Sequence, residues 1–202
     1  MIGFGKIMVG VDWKEAGPED RFGLSVNGYE AVSVGVAVAA AIDAEVTFVS
    51  ILDCVDESSP DWNETAVDDR IRPDLDKRLI ALAEYASQHG AAARACVCYG
   101  TAWLELVREV LRESYDLVIL GARDSTPDRP LGNLALKVLR NSPAPVWVTR
   151  PRPNPDDLFV LVPTDLSDDS LDTLYAAVYL GQITDSKTRV LHAVPAEAAA
   201  AE

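Results

Sequence analysis

The chain has 202 residues, of which 49% are hydrophobic and 25% charged, a balance that supports a packed core and excludes a disordered chain. Its net charge of -14 makes the average surface repel phosphate backbones and anionic headgroups, so neither nucleic acid nor a membrane is expected as a partner. The opening MIGFGKIMVGVDW lacks the basic flank and apolar stretch of a secretory signal, and no apolar run approaches the ~18 residues that span a bilayer, so a cytoplasmic protein is expected.

Residues 6–11 are apolar and β-branched and end at Asp12, the pattern of a buried parallel strand with a polar residue at its carboxyl end. Residues 13–26, rich in Gly, Pro and charge, exceed a simple turn and read as a functional or a mobile loop. An Ala/Val-rich run over residues 28–42 predicts a buried helix, and residues 45–52 (EVTFVSIL) the second strand. Residues 53–74 are polar and read as a connecting loop. Leu75, Leu79, Leu82 and Tyr85 then fall at helical spacing, which predicts a helix to His89 with Gly90 as its stop.

Residues 93–99 form the third predicted strand, with a sharp exit at Gly100. Leu104, Val107 and Leu111 repeat at helical spacing through residues 103–113, and residues 115–120 (YDLVIL) make a strand ending at Gly121. A helix over residues 134–140, broken by Pro143 and Pro145, leads to a last short strand at 146–149. Strands and helices alternating at these lengths imply an α/β fold, an open parallel sheet doubly wound with helices on both faces.

The three cysteines, Cys54, Cys96 and Cys98, make an odd number in a chain without an export signal, which argues against a disulfide framework. Cys96 and Cys98, two apart on a strand, share one face of the sheet. A metal or redox pair competes there with a pair of small buried hydrophobes. The second reading is preferred, because the chain has only His89 and His192 as histidines and nothing near the cysteines completes a ligand set.

Residues 151–158 form a stiff, Pro-rich, charged linker. After it a short strand at 159–162 runs into Pro163, Thr164 and Asp165, a helix extends to Leu180, and a strand covers 189–194. This strand, aspartate, helix, strand series repeats residues 7–52. The expected organisation is therefore a complete domain over 1–150 and a partial βαβ copy over 159–202.

Ligands of open parallel sheets sit beyond the carboxyl ends of strands where the order reverses, so Asp12, Ile51 and the loop after Gly121 should converge on one crevice. An aspartate there can accept hydrogen bonds from a ribose or an adenine amino group, and a glycine loop can give N–H groups to phosphate. For Asp12 and Asp165 the competing reading is capping of the turn or helix that follows. Arg123 and Arg129 can pair with an anionic ligand, but salt bridges to Asp124 and Asp128 are the preferred reading on so acidic a chain. There is no nucleophile elbow, HExxH or Walker loop, so no catalytic residue and no catalysis are expected.

The first strand ending VGVDW, the DLVILGAR segment and LGNLALKVLRNSPAPVWVTRP together resemble the universal stress proteins, as do VLVPTDLSDDS and VLHAV in the second copy. The resemblance implies an adenine-nucleotide alpha-hydrolase-like sheet of five strands in the order 3-2-1-4-5 and a tandem arrangement whose second domain is incomplete. It also implies a homodimer through the last strand of the first domain, at Val146, Trp147 and Val148. ATP-binding members carry G-x2-G-x9-G-(S/T) after the fourth strand. Here Gly121 matches the first glycine and Gly132 the third, but Asp124 stands at the second, seven residues separate Asp124 from Gly132, and Asn133 replaces the hydroxyl residue. By resemblance Asp12, Ile51, Gly121, Arg123, Gly132 and Asn133 contact the ligand in the first domain, and Asp165 with Ala193 begin a second site that lacks its glycine loop. A carboxylate near phosphate repels it and a side chain blocks close backbone approach, so the expected function is a stress-response binding or regulatory module without the usual bound ATP. The alternative is an ATP-binding switch or slow ATPase that uses Asp12 and the shortened loop.

Overall fold

Short apolar runs become strands here, the central ones covered on both faces. In the computed structural model, which describes residues 3–13, 22–52, 64–122, 131–150 and 159–193, the first such runs are β1 (Lys6–Val11), β2 (Glu45–Leu52) and β3 (Ala92–Tyr99). β4 (Leu117–Gly121) and β5 (Val146–Thr149) complete a parallel sheet in the order β3-β2-β1-β4-β5. The helices between them are α1 (Val26–Ile42), α2 (Glu64–Gln88), α3 (Ala102–Glu113) and α4 (Asn133–Asn141). The predicted doubly wound α/β fold and its strand order are thus the observed ones.

The strand order reverses between β1 and β4. Right-handed crossovers therefore put α1 and α2 on one face of the sheet and α3 and α4 on the other. Side-chain alternation divides the core accordingly. Val9, Val46 and Ile119 meet α1 at Gly35, whereas Met8, Val49, Cys98, Val118 and Leu120 pack with Leu106 and Val110 of α3 and Val138 of α4. Ile7, Met8, Val9 and Phe48 are wholly inaccessible to water, so the centre of the core lies along β1 and β2.

Helix ends follow their local chemistry. Ser25 caps α1, its Oγ accepting from the Gly28 N–H at 3.1 Å, and Asp43 ends the helix in the left-handed region with φ 55°. α1 consequently starts at Val26 rather than at residue 28. The larger departure is α2, which begins at Glu64, inside the stretch read as a loop, and carries Pro73 within it. Arg72 ties this helix to the sheet: its Nη1 donates to the Tyr99 hydroxyl at 2.6 Å and its Nε pairs with Asp76 at 3.1 Å. On α3 the buried stripe is Leu106, Val107, Glu109 and Val110, while Leu111, one of the three apolar residues read at helical spacing, is 64% exposed.

The chain divides into two compact units, the first running from Phe4 to Pro151 and the second drawn almost wholly from the residues after Arg152. Within the second unit β6 (Phe159–Thr164) pairs in parallel with β7 (Lys187–His192), joined by α5 (Asp168–Ile183). β6 runs through Pro163, and β7 ends before the predicted 194.

Candidate functional site

The carboxyl ends of β1, β2 and β4 open into a crevice of about 190 Å³. Asp12, Ile51, Gly121 and Gly132, four of the residues singled out from the sequence, line it together. Asn133 is instead the exposed first residue of α4 and does not line it, because the helix turns that side chain outward. Arg123, and the salt bridges read for Arg123 and Arg129, lie outside the described residues.

The walls explain what the crevice can accept. Val49, Ile51, Leu106, Leu120 and Leu134 offer an apolar slot, and the exposed Asp12 is the carboxylate at its rim. A flat apolar ring with a hydrogen-bonding edge suits such a slot. Asp12 does not cap α1, a role that Ser25 fills, so its carboxylate is left at the mouth. The chain after Asp12 folds back: Trp13 bridges Leu24, and its indole N–H donates to the Phe22 carbonyl at 2.9 Å. The segment between, read as a functional or a mobile loop, lies outside the described residues.

Gly121 has a packing duty of its own. A β-carbon at this position would stand 2.5 Å from the Asn27 carbonyl oxygen and 3.0 Å from the Gly28 nitrogen, so only glycine lets the end of β4 reach the start of α1. Gly132 is the N-cap of α4 with φ -68° and ψ 158°, and no side chain caps that helix, which leaves its first N–H groups facing the crevice end.

Asp165 and Ala193 line one open concavity in the second unit. There Asp165 Oδ1 accepts from the Ser167 N–H at 3.0 Å and from its hydroxyl at 2.6 Å, holding the carboxyl below its usual range. The capping reading of Asp165 is the observed arrangement, an Asx turn leading into α5.

Cys96 and Cys98 pack in the α3-side core on one face, as read from the sequence, but they have a neighbour that reading did not show. Cys96 and Cys98 share a face with their sulfurs 3.7 Å apart, and α3 brings Glu109 to them, with Cys98 Sγ 3.9 Å from Glu109 Oε2. All three donor atoms lie within 4.8 Å of one another. The expectation that nothing nearby completes a ligand set is therefore corrected. Sequence reading missed Glu109 because LVREVLRE pairs it with Arg112 at i,i+3, the pattern of a solvated helix face. The two do pair, yet Glu109 is only 3% exposed.

The profile of the universal stress protein family matches residues 3–150. The chain belongs to the universal stress protein family. Three solved structures place this universal stress protein among known folds. A universal stress protein from Archaeoglobus fulgidus DSM 4304 is 17% identical with a TM-score of 0.75, over 98% of this chain and 70% of that one. A family member from Arabidopsis thaliana with AMP bound is 16% identical with a TM-score of 0.54, over 73% of this chain and 92% of that one. A universal stress protein in complex with cAMP is 18% identical with a TM-score of 0.51, over 73% of this chain and 97% of that one. Comparison with curated proteins finds no match. Among the described residues, no helix is long and apolar enough to cross a membrane.

Proposed function

We propose that this universal stress protein is a non-catalytic binding and regulatory module whose crevice takes an adenine nucleotide with fewer phosphates than ATP. The observation that carries the reading is the convergence of Asp12, Ile51, Gly121 and Gly132 on one apolar slot with a carboxylate at its rim. In this reading Ile51 packs on the adenine, Asp12 accepts from the ribose or the adenine amino group, and backbone near Gly121 and Gly132 meets a phosphate, with Arg123 at the loop.

Two considerations limit the phosphate count. Asp124 puts a carboxylate in the sequence of the phosphate loop, and the stretch to Gly132 is two residues short of the family pattern. That one protein of similar fold holds AMP and another cAMP supports a ligand of this size. ATP switching or slow hydrolysis is the rival, and it needs the loop to wrap a triphosphate.

The same reading takes residues 159–202 as the opening of a second copy in tandem, Val146, Trp147 and Val148 as a homodimer contact, and the cytoplasm as the compartment. Calorimetric titration with AMP, cAMP and Mg²⁺·ATP decides the ligand. AMP or cAMP should bind one per chain at micromolar concentration and at least tenfold more tightly than ATP, and Asp12→Ala should weaken that binding about tenfold. Tight Mg²⁺·ATP binding, or no heat with any of the three, overturns the reading.

A further inference from the structure

We propose that Cys96, Cys98 and Glu109 form a binding site for a tetrahedral, thiolate-seeking divalent cation, Zn²⁺ above all, on the α3 face of the sheet. Cys96 and Cys98 lie on β3, opposite Val49 and Ile51 in the register with β2, and Glu109 descends on them from α3.

The geometry matches the ion. Zinc–sulfur bonds of about 2.3 Å at a tetrahedral angle separate two thiolates by about 3.8 Å, and the two sulfurs stand 3.7 Å apart. The same geometry with a zinc–oxygen bond of about 2.0 Å puts sulfur and carboxylate oxygen about 3.5 Å apart, against 3.9 Å from Cys98 Sγ to Glu109 Oε2. The third separation, Cys96 Sγ to the carboxylate, is wider though within 4.8 Å, so the Glu109 carboxylate swings toward Cys96 to close the set. Two sulfurs and one oxygen leave a fourth position for water, on the side of a cavity of about 230 Å³ lined by Lys6, Thr47, Arg94 and Tyr115. That cavity opens beside Lys6 and Glu45, the first residues of β1 and β2, away from the crevice at the strands' carboxyl ends.

The charges close as well. Two thiolates and a carboxylate around a divalent ion leave one negative charge, and Arg112, whose Nη2 lies 3.9 Å from Cys98 Sγ and pairs with Glu109, offsets it. Arg112 is 59% exposed, so it can yield one carboxylate oxygen to the ion and remain alongside. On coordination the thiol protons leave to solvent, while Arg112 keeps its own.

A disulfide is the poorer use of the pair. Residues two apart on a strand hold their Cα atoms about 6.6 Å apart, at the far end of the ~4.4–6.8 Å range that a disulfide spans. β3 is held to β2 along its whole length, from Ala92 to Tyr99, and cannot contract locally.

Titration of the reduced full chain with Co²⁺ as the spectroscopic probe tests the site. One equivalent should give a sulfur-to-cobalt charge-transfer band and intense tetrahedral d–d bands, and Zn²⁺ should displace them. Cys96→Ser with Cys98→Ser should abolish the bands, Cys54→Ser should leave them, and Glu109→Gln should weaken binding at least tenfold while the sulfur band persists. On the unsubstituted chain, Zn²⁺ should slow alkylation of Cys96, followed peptide by peptide, at least tenfold, a reading that does not depend on how any variant folds. Absence of the sulfur band, its survival in the double serine variant, unchanged affinity in Glu109→Gln, or unchanged alkylation each overturns the proposal.

Discussion

Gly121 serves the crevice and the fold at once, and the two duties separate by substitution. A methyl group at this position meets the backbone of Asn27 and Gly28 at 2.5 to 3.0 Å, and backbone cannot swing aside as a side chain can. Gly121→Ala should therefore destabilise the protein by about 1–3 kcal/mol, as overpacking does, and lower its melting temperature by several degrees. Gly132→Ala, at an ordinary φ of -68°, should cost about 1 kcal/mol or less, the worth of a cap preference. Thermal melts of the two variants without ligand check this, and equal losses would refute it. The sequence made Gly121 readable only as a member of a loop pattern. Its contact with Asn27 depends on β4 lying beside β1, which no local stretch of sequence displays. Glu109 was hidden for a related reason, since its pairing with Arg112 is local and its burial against β3 is not.

The strands were the most legible elements. β1, β2 and β5 have the bounds read from sequence: β1 and β2 because a buried parallel strand is a short apolar run with polar ends, β5 because Pro145 and Arg150 bracket a short apolar run. α2 was not legible in its first turns: Asp68, Asp69 and Pro73 are the residues of a loop by propensity, yet the helix runs through them. On α3, Leu104, Val107 and Leu111 make a plausible helical stripe, but the sheet takes the neighbouring face through Leu106, Val107 and Val110. β5 is the element whose exposed edge yields a prediction. It is the last strand of the sheet, and the carbonyls of Pro145 and Thr149 accept from Val118 and Ala122 on the β4 side. By strand alternation Val146 and Val148 then turn their N–H and C=O groups away from β4, toward an edge that no described strand pairs. If β5 joins two copies, Val148→Pro removes a donor from that contact and none from the β4 ladder, a substitution that edge strands tolerate. Light scattering should give twice the chain mass for the unsubstituted protein and the single-chain mass for Val148→Pro, with the melting temperature little changed. A monomer before substitution, or a dimer after it, rules out the β5 contact.

At the scale of the whole molecule the two units differ in what they bury. The first closes a core on both faces of its sheet, whereas in the second Val162 and Ala177 are the buried hydrophobic side chains among the described residues. Side chains alternate along β6, so α5 covers the Val160 and Val162 side, and Phe159 and Leu161 on the other side are each 52% exposed, as is Leu191 of β7. Arg189 lies over the Phe159 ring at 5.1 Å, a contact that leaves most of that surface to water. Two strands and a helix with so small a core are marginal by themselves. The sequence disclosed the strand, aspartate, helix, strand series but could not disclose this imbalance, because the apolar content of β6 matches that of a strand whose second face is covered. A chain ending at residue 150 should therefore keep the melting temperature and the nucleotide affinity of the full chain, since β1 to β5 and the crevice are complete within it. The full chain should in addition bind a dye such as ANS that reports exposed apolar surface, and the shortened chain should bind far less. Equal dye fluorescence from the two would mean that the Phe159 and Leu161 face is covered in solution. A fall in the melting temperature of the shortened chain would mean that the first unit relies on residues after 150 for its stability.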